Sequence, residues 1–224
     1  MIALQHALKL LSSDRKIPLV VAGGVDSYLA PELLARLDHE GRLPSGPVTD
    51  GFIPGEGAAF LLLARAGEAR RLGLEPIAEV AGVGLGDEKG HRYSATPYLG
   101  EGLAEAFARL FAQAEPPSPI QCVYSGLNGE SFWAKEWGVA YLRNAKRFVE
   151  NVRIEHPVQN VGDPGAALGP LMVGLAAMGI QRGYRQAPCL VWCSSDHEAR
   201  GAVLVRAPHG HASKPEGLLS HGNR

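Results

Sequence analysis

Hydrophobic positions change period several times along the chain, and each change marks an element. Ile2, Leu4, Leu8, Leu10 and Leu11 are spaced for a broad apolar helix face over residues 2–13. Residues 17–22, Ile-Pro-Leu-Val-Val-Ala, read as a strand that Gly23-Gly24 breaks. Pro31 suits the start of a short helix running through Leu37. Residues 40–49 hold Gly41, Pro44, Gly46 and Pro47 and read as loop. The unbroken apolar run at 58–64 has the length of a strand buried on both faces. Residues 66–72 read as a helix closed by Gly73, with Arg70-Arg71 in its last turn, and 77–83 as the next strand.

Beyond a polar stretch at 86–99, Leu103, Ala106, Phe107, Leu110 and Phe111 share one face of a helix over 101–114, which Pro116-Pro117-Ser118-Pro119 ends. A strand is expected at 120–124, a loop at 125–131, mostly helix at 132–149 and a short strand at 153–158. Residues 160–165 read as loop, and 166–180 as a small-residue apolar helix, deeply buried. Strands follow at 189–194 and 202–206, and the polar tail after Ala207 is expected to be disordered. Strands alternating with helices predict α/β layers.

The most informative stretch is Asp50-Gly51-Phe52-Ile53-Pro54-Gly55-Glu56-Gly57-Ala58, a glycine-punctuated turn feeding the apolar run. It resembles the D-G-F-x-x-G-E-G-A segment of β-ketoacyl-acyl-carrier-protein synthases, members of the thiolase superfamily. Val21-Ala22-Gly23-Gly24-Val25-Asp26 resembles the same family's V-A-G-G-x-E, and Ala78-Glu79-Val80-Ala81-Gly82-Val83-Gly84 also matches in order and spacing. The resemblance covers about residues 1–207. It implies an α/β, thiolase-like layered fold: the remainder of a first half at 1–84, a second half at 85–207 and a tail at 208–224. It implies no cofactor. The strand at 17–22 is implied to lie at a two-fold interface, through Ile17, Leu19, Val20, Val21, Gly23 and Gly24. The implied partner is a second copy or another thiolase-fold chain, with a protein client also possible.

That family condenses acyl thioesters with a cysteine nucleophile and two histidines. Counted without gaps, the cysteine falls a few residues before Met1, so the chain is expected to start just after it. The first histidine position falls on Gly126 and the second on Gly162, or on Asp163 with a one-residue shift. The family's closing glycine-rich loop reads Asp196-His197-Glu198-Ala199-Arg200-Gly201, which brings charge to an apolar wall. The expected pocket residues are Ser125, Asn128, Asn160, Asp163, Cys193, Asp196 and His197. Cys193, Asp196 and His197 can be read as nucleophile, orienter and base. The simpler reading is a buried strand cysteine followed by a solvated loop. Loop-capping roles are the simpler reading for Asn128, Asn160 and Asp163. Replacing Asn128 or Glu130 is expected to leave stability almost unchanged.

Composition narrows the rest. The 224 residues carry a net charge of −1 with no long basic block, which argues against nucleic acid and anionic membranes as partners. Cys122, Cys189 and Cys193 give no disulfide framework and suit a reducing, cytoplasmic setting. No metal is expected: Cys189-x3-Cys193-x3-His197 is not a zinc spacing, and His209, His211 and His221 are scattered. No apolar run reaches membrane-spanning length, and residues 1–13 lack a cleavage-site pattern. The expected function is a catalytically inactive synthase-like subunit or scaffold. An adaptor or chaperone of a bacterial toxin-secretion cluster is one alternative. The other is the later part of an active condensing enzyme whose start is misassigned.

Overall fold

Two sheets of unequal size share one layer of helices. The structure is a computed structural model that describes residues 1–44 and 49–208. The tail expected after Ala207, with its three histidines, lies outside the described residues apart from Pro208. The elements in order are α1 (Ile2–Ser13), β1 (Leu19–Ser27), α2 (Pro31–His39), β2 (Glu56–Ala64), α3 (Ala66–Arg71), β3 (Glu79–Asp87) and α4 (Glu101–Gln113). They continue with β4 (Ile120–Ser125), α5 (Ser131–Arg143), β5 (Phe148–Glu155), α6 (Val158–Val161), α7 (Leu168–Gln181), β6 (Cys189–Ser194) and β7 (Ala199–Arg206).

β1 and β2 form an antiparallel pair with Val21 opposite Leu62 and Gly23 opposite Phe60. The larger sheet has the order β3-β7-β6-β4-β5, with β4 parallel to both its neighbours and β7 antiparallel to β3 and β6. α1 and α7 lie between the sheets, while α4 and α5 cover the far face of the larger one. Alternation along β6 and β7 serves both layers. Leu190, Trp192, Ala202 and Leu204 face α4 and α5, packing with Leu103, Phe107 and Leu110. Cys189, Val191, Val203 and Val205 face α7, packing with Met172, Val173 and Leu4. The mixed α/β architecture is the one the sequence predicts. β3 belongs to the larger sheet, at its edge beside β7.

Several boundaries differ from expectation, each for a packing reason. Gly23-Gly24 do not break β1; the strand runs through them to Ser27. A Cβ at Gly24 would overlap the Ala166 carbonyl, and one at Gly23 would overlap the Ala59 carbonyl and the Phe60 ring. The pair is there for close approach, not for a turn. β2 is not buried on both faces: its residues alternate between exposed and half-buried. The helix expected through residue 149 stops at Arg143, because Phe148, Val152 and Ile154 are drawn into β5 beside β4. Residues 158–161 form a short helix where strand end and loop were expected, and β7 starts three residues earlier than predicted.

A candidate functional site at the meeting of four loops

The glycine-punctuated stretch at 50–57 ties together the loops around a cavity. Asp50 accepts hydrogen bonds from the Ser131 amide (2.7 Å) and hydroxyl (2.6 Å) at the start of α5. The same Ser131 bonds hold the Asp50 carboxyl below the ordinary carboxylate range. Phe52 is buried under the Arg42 guanidinium, 5.1 Å from the ring centre. Pro54 bridges Asp163, and the Gly55 amide donates to the Asp163 carbonyl at 2.9 Å. Gly51 and Gly55 leave room for the Arg42 and Val161 carbonyls, where a Cβ would stand 2.6 and 2.8 Å away.

These loops bury a charge network that the sequence did not reveal. Arg42 is 4% exposed and Glu130 3%. Arg42 donates two parallel bonds to Glu130, both 2.9 Å, and two more to Asp196 at 2.7 and 3.1 Å. Arg92 reaches Glu130 at 2.8 Å and Asp196 at 3.5 Å. The Trp133 indole donates to Glu130 at 3.1 Å, and Asn128 donates to Glu130 and Asp163 at 3.2 and 3.0 Å. Two arginines thus face two carboxylates, which is the condition under which buried charges persist. Glu130 is therefore no dispensable surface residue, and Asp196 is not part of a free solvated loop. A second pair, Arg200 and Glu136, is fully buried nearby. Ser194 donates to Glu136 at 2.7 Å, while Arg200 donates to the Ser195, His197 and Ala199 carbonyls, fixing the turn before β7. Burial pushes the Glu136 carboxyl up in spite of Arg200.

The cavity has a volume of about 590 Å³ and is lined by Asn128, Asp163, Cys193, Asp196 and His197 among others. Five of the seven expected pocket residues therefore share one space. Ser125 is fully buried and accepts a bond from the Leu127 amide at 3.1 Å; Asn160 is exposed on α6. Asp163 accepts from Asn128 and from the Gly165 amide (2.9 Å), and burial pushes its carboxyl up. Burial also pushes the Cys193 thiol and the neighbouring Tyr28 hydroxyl up.

Cys193, Asp196 and His197 do not form a relay. The Asp196 carboxylate is engaged by the two arginines, and the His197 ring packs against Tyr93 and His91, with centroids 5.3 and 5.6 Å away. Among the described residues no hydrogen bond links His197 to Cys193 or to the Asp196 carboxylate. The two glycines that gapless counting sets at the synthase histidine positions both lie tight against neighbouring backbone. A Cβ at Gly126 would stand 3.0 Å from both the Cys193 Cα and the Trp192 carbonyl. Gly162 has φ +72° and ψ −178°, a conformation essentially restricted to glycine, and a Cβ there would meet the Pro54 and Ile53 carbonyls at 3.0 and 3.1 Å. No group of three or more His, Cys, Asp or Glu is arranged to hold a metal among the described residues. No helix among them is long and apolar enough to cross a membrane.

No family model matches the chain. The oxytetracycline polyketide putative beta-ketoacyl synthase 1 of Streptomyces rimosus is 29% identical over 196 residues, covering 80% of this chain and 45% of that one. Polyketide synthase ThaQ of Burkholderia thailandensis is 39% identical over 84 residues, 34% of this chain and 4% of that one. Among solved structures, the ishigamide ketosynthase/chain length factor superposes with a TM-score of 0.79 at 16% identity, covering 92% of this chain and 58% of that one. A type II polyketide ketosynthase in complex with its acyl-carrier protein gives 0.80 at 17% identity, over 92% and 60%. The chain thus spans about half the length of the Streptomyces relative. It carries the thiolase-like fold of the ketosynthases and is similar in sequence to polyketide ketosynthases.

Proposed function

We propose that this ketosynthase-like chain does not condense acyl groups itself and serves as a non-catalytic subunit or scaffold beside a thiolase-fold chain. The observation that carries this reading is the tight backbone around the two glycines that stand where the histidines are expected. Gly126 and Gly162 do more than lack imidazoles: a Cβ at either would press to 3.0 Å on the backbone of neighbouring residues, and Gly162 also has a φ of +72°. In the resembled family those imidazoles assist decarboxylation and stabilise developing negative charge. Asp196, His197 and Cys193, which line this cavity, do not replace them. Asp196 is neutralised by arginines, His197 is held by aromatic rings, and the Cys193 thiol is shifted toward its neutral form. The Arg42–Glu130–Asp196 network instead locks four loops together, as a structural role requires. The solved ishigamide ketosynthase/chain length factor supports a partner of the same fold.

The test is incubation of the purified chain with malonyl- and acyl-carrier-protein thioesters, followed by mass spectrometry. The expected result is no ketoacyl product above the no-protein control. Product that disappears on Cys193→Ser would overturn the reading and identify a substitute site.

A further inference from the structure

The larger sheet brings together two thiols that the cavity does not use. Cys122 on β4 stands opposite Cys189 on β6 in the parallel register. Both side chains lie on the α7 face of the sheet, in one cluster with Tyr124, Val191, Met172 and Val173. Neighbouring strands run about 4.8 Å apart. That lies inside the span of about 4.4–6.8 Å between Cα atoms that a disulfide bridges. The Cys189 thiol has two acceptors, the Gln186 carbonyl at 3.4 Å and the Cys122 sulfur. Both residues are free thiols in this structure.

Distance keeps the third thiol out of such a bridge. Cys193 follows Cys189 on the same extended strand, about 13 Å further on at about 3.3 Å per residue. It also lies past Trp192, the partner of the last residue of β4, Ser125. The surroundings of the pair suit reaction better than inert packing. The hydrogen bond from Cys189 holds the Cys122 thiol below the ordinary thiol range in spite of burial, and the Arg185 guanidinium acts in the same direction. Arg185 is paired with Glu155 at 2.7 Å, and both of these side chains are partly exposed. Charge that reaches solvent therefore acts on two sulfurs whose residues are only 2% and 0% exposed.

We propose that Cys122 and Cys189 are a hydroperoxide-oxidised dithiol, a modification site that closes a reversible disulfide between β4 and β6. The Cys122 thiolate attacks one oxygen of hydrogen peroxide. The O–O bond breaks, and the departing hydroxide takes up a proton and leaves as water. The Cys189 sulfur then attacks the Cys122 sulfenic acid and gives up its proton. The S–S bond forms and a second water leaves. Two thiols together lose two electrons, and one peroxide is reduced to two waters. The near-complete burial of both sulfurs selects a small oxidant over a bulky disulfide. The bond forms within the native sheet, because the two strands already hold the residues in register. The inference stands whether or not the chain condenses acyl groups.

The experiment treats the purified full chain, reduced and native, with excess hydrogen peroxide. The remaining thiols are titrated, and tryptic peptides are mapped by mass spectrometry without reduction. The three free thiols should fall to one. Peptide 110–135, which carries Cys122, should appear joined to peptide 186–200, which carries Cys189 and Cys193. The joined pair should persist in Cys193→Ser, vanish in Cys189→Ala and separate on adding dithiothreitol. The urea midpoint of the oxidised chain should rise, because the bond closes a long loop in the unfolded state. A thiol count that stays at three would overturn the proposal. So would a bridge that forms only in urea, joined peptides that are lost in Cys193→Ser, or a urea midpoint lowered by the bond. Sulfinic acid at either cysteine with no bridge formed would overturn it as well.

Discussion

At the scale of residues, Glu130 is the clearest departure from what its neighbourhood in the sequence suggests. It stands in a stretch that reads as loop, yet it is 3% exposed and shared by Arg42, Arg92, Trp133 and Asn128. No local pattern announces this, because Arg42 lies 88 residues from Glu130 and 154 from Asp196. Removing one partner of a buried charge pair strands the other, so Glu130→Ala should cost about 3–5 kcal/mol in urea unfolding. The double variant Arg42→Met, Glu130→Leu should recover most of that loss, since it strands less charge. A single-variant cost below about 1 kcal/mol would mean that the network is solvated. Cys193 gives a chemical readout. Its thiol is pushed up by burial, so its thiolate appears only above the pH at which ordinary thiols ionise, about 8.5. Iodoacetamide labelling at pH 8 should therefore be slower at Cys193 than for free cysteine, and should keep rising as pH increases past that value. Fast labelling at pH 7 would revive the nucleophile reading.

Among the elements, apolar periodicity located most helices and strands but misjudged what glycines were for. Gly23-Gly24 read as a strand break because glycine punctuates local structure. The structure uses them to bring β1 against β2 and the turn at 165–167. Gly24→Ala must displace the Ala166 carbonyl, and a cost of about 1–3 kcal/mol is expected from this overpacking. Gly67 in α3 faces open space, so Gly67→Ala should change stability by less than about 0.5 kcal/mol. Equal effects at the two positions, read from paired denaturation curves, would show that conformational freedom and not close approach explains Gly24. The overrun of α5 has a similar origin. Trp137, Ala140 and Tyr141 continue a helical stripe, and only the pairing of β5 with β4, a long-range event, claims Phe148 for a strand.

For the whole molecule, the layered α/β fold was legible because it is written in three spaced motifs, each now seen to have a mechanical task. The stretch at 50–57 cradles residues 161–163, the glycines at 23–24 admit neighbouring backbone, and Gly84 lies against α4. The cavity was legible in part: Asn128, Asp163, Cys193, Asp196 and His197 do converge. Its electrostatics were not, since charge pairing depends on contacts between residues far apart in the chain. What the letters at 126 and 162 could not show is that a Cβ at either glycine would meet neighbouring backbone at 3.0 Å. The most direct test isolates the step that the two imidazoles would serve and that needs no nucleophile from elsewhere. Carbon dioxide released from a carboxyl-labelled malonyl-carrier-protein thioester should match the no-protein background. Release above that background, abolished by Asp163→Asn or by substitution of His197, would contradict the account.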